Sequence, residues 1–278
     1  MASKVILITG SNSGIGYEAL KVFLNAAKPY HILAASRTSE KAREAVEKAR
    51  SECPDSKNTI EPMAIDVTSD RSIEQACKQV EKSPGRLDVL LNNAGASFDL
   101  DFVAGRVSLR DCFNKAYDVN VTGANVMAWT FMPLLLKSSD PRLIFVAGLS
   151  MMTVVNSGPY FPTPPQPAGW PKKIDFETIG YRCSKTALNM LTLDWAHKLK
   201  EDGVKVFGVG PGMLATNLGN ARDGPDMQVT NLDYAKQIGE KMGAGHAREG
   251  GELFLRVIEG ERDEHSGKVI NKNGLSAL

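Results

Sequence analysis

The sequence has few cysteines, and none of them lies in a closely spaced pair. Four occur in 278 residues: Cys53, Cys77, Cys112 and Cys183. Disulfide frameworks and zinc sites depend on cysteines in close pairs, so the sequence argues against both as the basis of this fold. We expect free thiols, no metal site and a reducing, cytoplasmic compartment.

Long apolar runs and an excess of charge of one sign are missing as well. No stretch reaches the about 18 apolar residues of a membrane-spanning helix. The first residues do not form the apolar stretch and cleavage site of a signal peptide. The 33 Lys and Arg residues balance 32 Asp and Glu residues, for a net charge of +1, and they do not gather in one run. We therefore expect neither nucleic acid nor membrane as a partner.

Short apolar runs alternate with longer stretches of helical pattern. The runs cover residues 5–9, 31–35, 60–65, 87–92, 143–147, 204–209 and 268–270. The helical stretches cover residues 14–27, 39–51, 70–82, 110–137, 179–201 and 247–260. Most runs are continuously apolar, which is typical of strands buried on both faces of a parallel sheet. The sequence predicts one α/β domain over residues 1–278: a doubly wound Rossmann fold, with helices on both faces of a seven-stranded parallel sheet.

A glycine-rich turn joins the first predicted strand to the first predicted helix. Gly10 permits a tight turn, Gly14 lets the backbone approach a pyrophosphate, and Gly16 lets the helix pack closely on the sheet. The free N–H groups at the start of the helix favour phosphate. The turn predicts a dinucleotide site made of Gly10, Ser11, Asn12, Ser13, Gly14, Ile15 and Gly16.

The end of the second predicted strand indicates which dinucleotide binds. An NAD site commonly has an acidic residue here, which accepts hydrogen bonds from the ribose hydroxyls. This sequence has Ser36 and Arg37 instead. Because a hydroxyl and a guanidinium suit a 2′-phosphate, we predict NADP(H) as the cofactor.

A tyrosine and a lysine lie four residues apart near the start of the fifth predicted helix. Residues at this spacing share a helix face, so Tyr181 and Lys185 are expected to face one pocket. A nearby ammonium favours the phenolate, which predicts a lowered pKa for Tyr181 and a role in acid–base catalysis.

Together these motifs resemble the short-chain dehydrogenase/reductase superfamily over essentially the whole chain. The other segments that carry the resemblance are Asp66-Val67, Asn92-Asn93-Ala94-Gly95, Asn120 and residues 211–216. Residues 180–181 and 200–206 resemble fungal natural-product carbonyl reductases in particular.

The resemblance implies further contacts to the cofactor. Asp66 and Val67 would meet the adenine ring, and residues 93–95 would line a ribose. Thr216 would bond the carboxamide of the nicotinamide, although it could instead cap a following helix. The implied contacts are Asp66, Val67, Asn93, Ala94, Gly95, Tyr181, Lys185, Pro211, Gly212, Met213, Leu214 and Thr216.

The resemblance also implies a catalytic set. Tyr181 would exchange a proton with the reacting oxygen, and Lys185 would hold the nicotinamide ribose. Asn120 would anchor a water that links Lys185 to solvent, or it could satisfy backbone groups instead.

One expected catalytic residue is missing. The family normally has a serine at the end of the fifth strand, where its hydroxyl polarises the substrate carbonyl. This sequence has Ala147 and Gly148 there, and neither side chain can donate a hydrogen bond. Ser150 is the nearest hydroxyl, and we name it as a candidate substitute; the alternative is an ordinary loop serine.

Two irregular segments are expected near the substrate. Residues 156–171 contain six prolines with three aromatic residues, which excludes a regular helix and favours a loop that walls the pocket over a plain linker. Residues 217–242 follow Thr216, where the family carries a substrate lid.

The helices at 110–137 and 179–201 are where the family pairs its subunits, so we expect a homodimer or homotetramer.

The leading hypothesis is an NADPH-dependent reductase. It would transfer hydride to a carbonyl or imine of a medium-sized, apolar small molecule, in secondary metabolism, with Tyr181 as the general acid. The missing serine keeps two alternatives open. One is cofactor-assisted cyclisation or isomerisation without net redox change, and the other is a nucleotide-binding module without turnover.

Overall fold

The computed structural model describes residues 3–147, 165–172, 178–216, 218 and 243–276. Its strands are β1 (Lys4–Ile8), β2 (Tyr30–Ser36), β3 (Thr59–Ala64), β4 (Val89–Asn92), β5 (Arg142–Val146), β6 (Lys205–Gly210), β7 (Leu214–Ala215), β8 (Gly245–His246), β9 (Lys268–Asn271) and β10 (Gly274–Leu275). Its α-helices are α1 (Gly14–Leu24), α2 (Ser39–Glu52), α3 (Asp70–Lys82), α4 (Asp99–Val103), α5 (Leu109–Tyr117), α6 (Ala124–Leu135), α7 (Ile179–Lys198) and α8 (Ala247–Ile258).

Within these residues, eight strands form one sheet in the order β10-β9-β6-β5-β4-β1-β2-β3. All seven predicted strands are present, and they pair in parallel. The predicted count of seven is one too low, because the two-residue strand β10 adds an antiparallel edge to β9. Two residues are too short to give a hydrophobic period. The doubly wound α/β class is confirmed.

The hydrophobic core lies in two layers, one on each face of the sheet. Side chains of β1 alternate between the layers, so Ile6 and Ile8 face one and Val5 and Leu7 face the other. The first layer packs against α1, α2 and α8. The second packs against α3, α6 and α7. Burial on both faces explains why the strands are continuously apolar.

The predicted helix at 110–137 is interrupted in the structure. Six residues, Asp118–Gly123, form a π-helical turn between α5 and α6. A π-helical turn inserts extra backbone into a helix and is frequent at functional sites. Asn120 lies in this turn.

The carboxyl ends of the parallel strands meet at one edge of the sheet. The glycine turn follows β1, Ser36 ends β2, and residues 93–95 follow β4. In an open α/β sheet, ligands bind outside this edge, where the strand order reverses. The order on either side of β1 and β4 places that reversal beside the glycine turn.

Candidate active site

The glycine turn is shaped by close approach of neighbouring backbone. Gly10 has φ +65°, and a Cβ there would lie 2.8 Å from the Cα of Ala94. A Cβ at Gly16 would overlap the carbonyl oxygen of Gly10. Larger residues would therefore push the turn away from the end of β4 and from the start of α1, so the close packing requires glycine at both positions.

Hydrogen bonds fasten this turn to the end of β4. The Thr9 hydroxyl oxygen accepts from the backbone N–H groups of Asn93 (3.1 Å) and Ala94 (3.0 Å). The side-chain amide of Asn93 donates to the carbonyl oxygens of Thr9 (2.8 Å) and Gly10 (3.1 Å). Asn93 thus braces the turn, and its predicted ribose contact stays a prediction.

Other predicted phosphate residues differ in accessibility. The Ser11 side chain is buried and donates to the carbonyl oxygen of Ala35 (3.0 Å), so it ties the turn to β2. Ser36 is 1% exposed, and its hydroxyl has no hydrogen-bond partner among the described residues. Arg37 beside it is exposed. The exposed guanidinium fits a 2′-phosphate, whereas the Ser36 hydroxyl is buried and its phosphate contact stays a prediction.

Thr216 lies across from the glycine turn. A Cβ at Gly14 would be 3.5 Å from the Cβ of Thr216. The Thr216 hydroxyl accepts from the backbone N–H of Leu218 (3.3 Å). Leu214 pairs with Gly245 in the small β7–β8 ladder, and Gly212 and Met213 are exposed. Thr216 therefore lies beside Gly14, and the nicotinamide contacts of residues 211–216 stay predictions.

Asp66 and Val67 follow β3 at the same edge. The Asp66 carboxylate accepts from the backbone N–H (3.0 Å) and the hydroxyl (2.7 Å) of Thr68, which holds the turn after β3. A Cβ at Gly123 would meet the carbonyl oxygen of Val67 at 2.5 Å. The loop after β3 thus packs closely on the π-helical turn. The adenine contacts of both residues stay predictions.

Tyr181 and Lys185 lie one helical turn apart on α7, as predicted. The Lys185 ammonium is 5.5 Å from the centre of the Tyr181 ring. It donates a 2.8 Å hydrogen bond to the carbonyl oxygen of Val146 at the end of β5. A Cβ at Gly95 would lie 3.5 Å from the ammonium. The lysine is thus held between the ends of β4 and β5, beside the phenol.

The predicted direction of the Tyr181 pKa is wrong for this structure. Burial raises the pKa of the Tyr181 phenol, because the charged phenolate loses solvation. The Lys185 ammonium points its hydrogen bond at Val146, so its attraction does not offset that loss. Burial lowers the pKa of Lys185 to about 8. At neutral pH the phenol is protonated and the lysine is charged.

The Asn120 side chain fastens the loop after β4. Its Oδ1 accepts from the backbone N–H of Ala96 (2.8 Å), and its Nδ2 donates to the carbonyl oxygen of Ala96 (2.8 Å). Nδ2 also donates to the hydroxyl of Ser184 (2.8 Å). The side chain therefore satisfies backbone groups, though of a neighbouring loop. The predicted role in anchoring a water stays a prediction.

The strand-end position that lacks a serine is partly described. Ala147 is buried, and its backbone N–H donates to the carbonyl oxygen of Val209 (2.9 Å). Gly148 and Ser150 lie outside the described residues, as do most of the segments at 156–171 and 217–242. Of the first segment, residues 165–171 are described, and Trp170 is 85% exposed.

Two polar side chains of this site were not predicted. The Asp99 carboxylate accepts from the backbone N–H groups of Gly180 and Tyr181, and the Ser184 hydroxyl donates to the carbonyl oxygen of Tyr181 (2.7 Å). Ser184 sits inside the Tyr-x-x-x-Lys motif, so its position could have suggested a contact. No local pattern connects Asp99 with a helix 81 residues away.

The described part of the chain lacks two further kinds of feature. None of the described helices is long and apolar enough to cross a membrane. The described residues include no group of three or more His, Cys, Asp or Glu side chains placed to hold a metal ion.

Comparison with known proteins gives the family. The model of the family described as short chain dehydrogenase matches residues 4–161 and 172–225. The short-chain dehydrogenase/reductase tropE of Talaromyces stipitatus is 42% identical over 98% of this chain and 96% of its own length. The short-chain dehydrogenase/reductase eupG of Phoma sp is 40% identical over 97% of this chain and 95% of its own.

Solved structures agree at the level of the fold. An NADPH-bound carbonyl reductase from chicken fatty liver superposes with a TM-score of 0.71 at 22% identity, covering 100% of both chains. A short-chain type dehydrogenase/reductase from Mycobacterium marinum gives a TM-score of 0.73 at 21% identity, covering 97% of this chain and 94% of its own. Motifs, fold and sequence relatives agree: the chain belongs to the short-chain dehydrogenase family.

Proposed function

We propose that this protein is an NADPH-dependent reductase of a carbonyl or imine group on a medium-sized, apolar metabolite. The observation that carries the proposal is the pairing of Tyr181 with Lys185 beside the ends of β4 and β5, at the edge of the sheet that also carries the glycine turn. Family membership makes the protein an oxidoreductase. The resemblance to fungal natural-product carbonyl reductases supports a place in secondary metabolism.

The choice of NADP(H) rests on the end of β2. Ser36 and Arg37 offer a hydroxyl and a cation where an NAD site commonly has a carboxylate. The exposure of Arg37 supports a 2′-phosphate at this place, and Ser36 would have to become accessible for its buried, unpaired hydroxyl to bond it.

In the proposed reaction, a nicotinamide held by this site would supply hydride for the carbon of the C=O or C=N group. The Tyr181 phenol donates its proton to the oxygen or nitrogen, so that hydride and proton together reduce the double bond. The raised pKa keeps the phenol protonated and ready to act as the acid. Lys185 contributes a cation that would bind ribose hydroxyls, and Asn120 and Ser184 hold the neighbouring backbone.

Substituting the phenol tests this proposal. We expect Tyr181→Phe to bind NADPH like the wild type, measured by nicotinamide fluorescence, but to lose NADPH oxidation at 340 nm over a panel of carbonyl and imine substrates by about a hundredfold or more. Tyr30→Phe is the matched control, because this phenol lies at the opposite end of β2 and bonds Glu259 (3.0 Å). Equal rates in the wild type and Tyr181→Phe would contradict the proposal.

One observation favours a second function. Ala147 provides no side-chain donor at the strand end, and in other oxyanion sites the loss of one donor costs about 3 kcal/mol of barrier. A protein without this donor could use NADP(H) for cyclisation or isomerisation, or bind the nucleotide without turnover. Tight NADPH binding with no oxidation of NADPH by any substrate of the panel would favour this second function.

We also propose a reducing, cytoplasmic location. The four cysteines form no disulfide bond in the structure, and thiols stay unoxidised in a reducing compartment.

A further inference from the structure

The helix that carries Tyr181 and Lys185 is capped by a carboxylate from a distant part of the chain. Asp99, the first residue of α4, accepts hydrogen bonds from the backbone N–H groups of Gly180 (2.8 Å) and Tyr181 (3.0 Å). Thr178 occupies the N-cap position, but its side chain makes no capping hydrogen bond. The first turn of α7 is therefore tied to α4.

This cap differs from the others in the described part of the chain. Thr38, Ser69 and Ser108 each cap the helix that immediately follows them, by accepting from a backbone N–H three residues ahead. A local cap stabilises only its own helix. The cap of α7 also fixes where the helix lies relative to α4.

The Asp99 carboxylate is buried, so it needs these hydrogen bonds to replace its contacts with water. It is 1% exposed, and its carboxylate accepts a third hydrogen bond from the Ser97 hydroxyl (2.9 Å). In the part of the chain that the structure describes, it forms no ion pair. A buried carboxylate needs hydrogen-bond donors, and a helix N-terminus supplies both N–H groups and the positive end of a dipole.

The absence of a side chain at residue 180 allows this contact. A Cβ at Gly180 would lie 3.1 Å from the Asp99 Oδ1 and 3.1 Å from the Cys112 sulfur. Both separations are tighter than ordinary van der Waals contact. Alanine at this position would push the carboxylate away from the helix.

Further hydrogen bonds close a ring through the catalytic tyrosine. Asn120 holds Ala96, three residues before Asp99, and donates to the Ser184 hydroxyl. Ser184 donates to the carbonyl oxygen of Tyr181, while Asp99 accepts from its N–H. The backbone of Tyr181 is thus held at both polar groups.

We propose that Asp99 is a positioning residue that fixes the Tyr181 phenol for proton transfer. The inference rests on the proposed reductase function for its effect on rate, and on the structure alone for its effect on the helix. Asp99 does not touch the reacting atoms. It acts by holding the first turn of α7, and a displacement of an acid by about 1 Å can lower a rate by about a hundredfold.

Asp99→Asn tests this role. The asparagine oxygen can still accept a hydrogen bond, but its NH2 group cannot accept from the second backbone N–H group at the start of α7. We expect kcat for NADPH-dependent reduction to fall by about tenfold to a hundredfold. We expect the substrate KM and the NADPH Kd to change by less than about threefold, because the lost contact orients the acid rather than binding the ligands. Hydrogen exchange in peptides covering residues 178–186 should become faster.

Asp101→Asn is the matched control. It removes a carboxylate from the same helix, but that carboxylate pairs with Arg106 (2.6 Å). Its kcat and its exchange at residues 178–186 should equal those of the wild type. An equal loss of kcat in both variants, or an unchanged kcat in Asp99→Asn together with faster exchange, would overturn the positioning role.

Gly180→Ala provides a second variant if Asp99→Asn does not fold. Alanine is a better helix former than glycine, so α7 itself is not weakened, while the new Cβ displaces Asp99. A lower kcat with an unchanged NADPH Kd supports the proposal, and an unchanged kcat overturns it. If the wild type reduces no substrate, the proposed reductase function fails. Hydrogen exchange then tests the cap on α7 by itself: unchanged protection of residues 178–186 in Asp99→Asn would overturn it.

Discussion

At the scale of single residues, the site depends on two groups whose protonation is set by burial. The sequence predicts that Tyr181 and Lys185 share a face, because four residues make about one helical turn. The direction of the Tyr181 pKa could not be predicted from spacing. It depends on how deeply the folded chain buries the phenol, because burial raises the pKa of Tyr181.

The proposed contact of Arg37 with a 2′-phosphate leads to a prediction about the affinity for NADPH. Arg37→Ala should raise the Kd for NADPH by about tenfold to a hundredfold, because a hydrogen bond to a charged group contributes about 1.5 to 3 kcal/mol. The Kd for NADH, which lacks the 2′-phosphate, should stay the same. Both are measured by nicotinamide fluorescence, with Arg43→Ala as the control, since Arg43 is an exposed arginine of α2 paired with Glu40. An equal change for both nucleotides would refute the assignment.

The lowered pKa of Lys185 leads to a prediction about how activity depends on pH. The pKa of Lys185 is about 8 in the folded protein, against 10.5 for an exposed lysine, so the ammonium loses its proton as pH rises through about 8. We expect kcat/KM for NADPH to fall above that pH, because the charge that would hold the ribose is lost. The same lowered pKa means that the buried charge costs stability below pH 8, a cost that fades between pH 8 and 10.5. A flat kcat/KM profile up to pH 9.5 would contradict the assignment.

At the scale of elements, the helical pattern predicted the longer helices, but it predicted neither the short helix α4 nor the break in the stretch at 110–137. The stretch at 110–137 has an apolar pattern throughout, and the structure divides it at Asp118–Gly123. The break follows from tertiary packing: Gly123 lies against the carbonyl oxygen of Val67, and Asn120 bonds the loop at Ala96. The cap of α7 by Asp99 was missed for the same reason, since its partners are far apart in sequence.

The exposed side chains of helices α6 and α7 lead to a prediction about how subunits pair. Phe131, Leu134 and Leu135 of α6 face the core, whereas Trp129 is 74% exposed and Met190 of α7 is 66% exposed. Trp129 contacts Trp195 of α7 edge-on, at 6.4 Å between ring centres, so the two helices present one apolar surface. We propose that this surface pairs subunits in a homodimer or homotetramer, because exposed aromatic residues often anchor interfaces.

Sedimentation measures the mass of the assembly directly. The wild type should give a mass that is a multiple of 30.1 kDa, and Trp129→Lys combined with Met190→Lys should shift it towards 30.1 kDa. Trp170→Lys is the control, because Trp170 is exposed on a separate segment. A wild-type mass of one chain would rule out the assembly.

At the scale of the whole molecule, the fold was predictable because strands buried on both faces leave an unmistakable apolar pattern. The carboxyl edge of that sheet then brings together motifs that are far apart in sequence: the glycine turn, Ser36, residues 93–95 and Thr216. The antiparallel strand β10 was beyond reach, because two residues show no period. Ser150, the predicted substitute for the missing serine, lies outside the described residues, so its role stays a prediction.

In the proposed reaction, Tyr181 and Lys185 serve a hydride transfer from NADPH to substrate. This transfer can be followed with deuterium at C4 of the nicotinamide of NADPH, by mass spectrometry and NMR of the product. We expect one deuterium on the reduced carbon of each product molecule, from one of the two C4 positions only, with one NADPH consumed. A product that carries no deuterium while the labelled NADPH is recovered intact would contradict it.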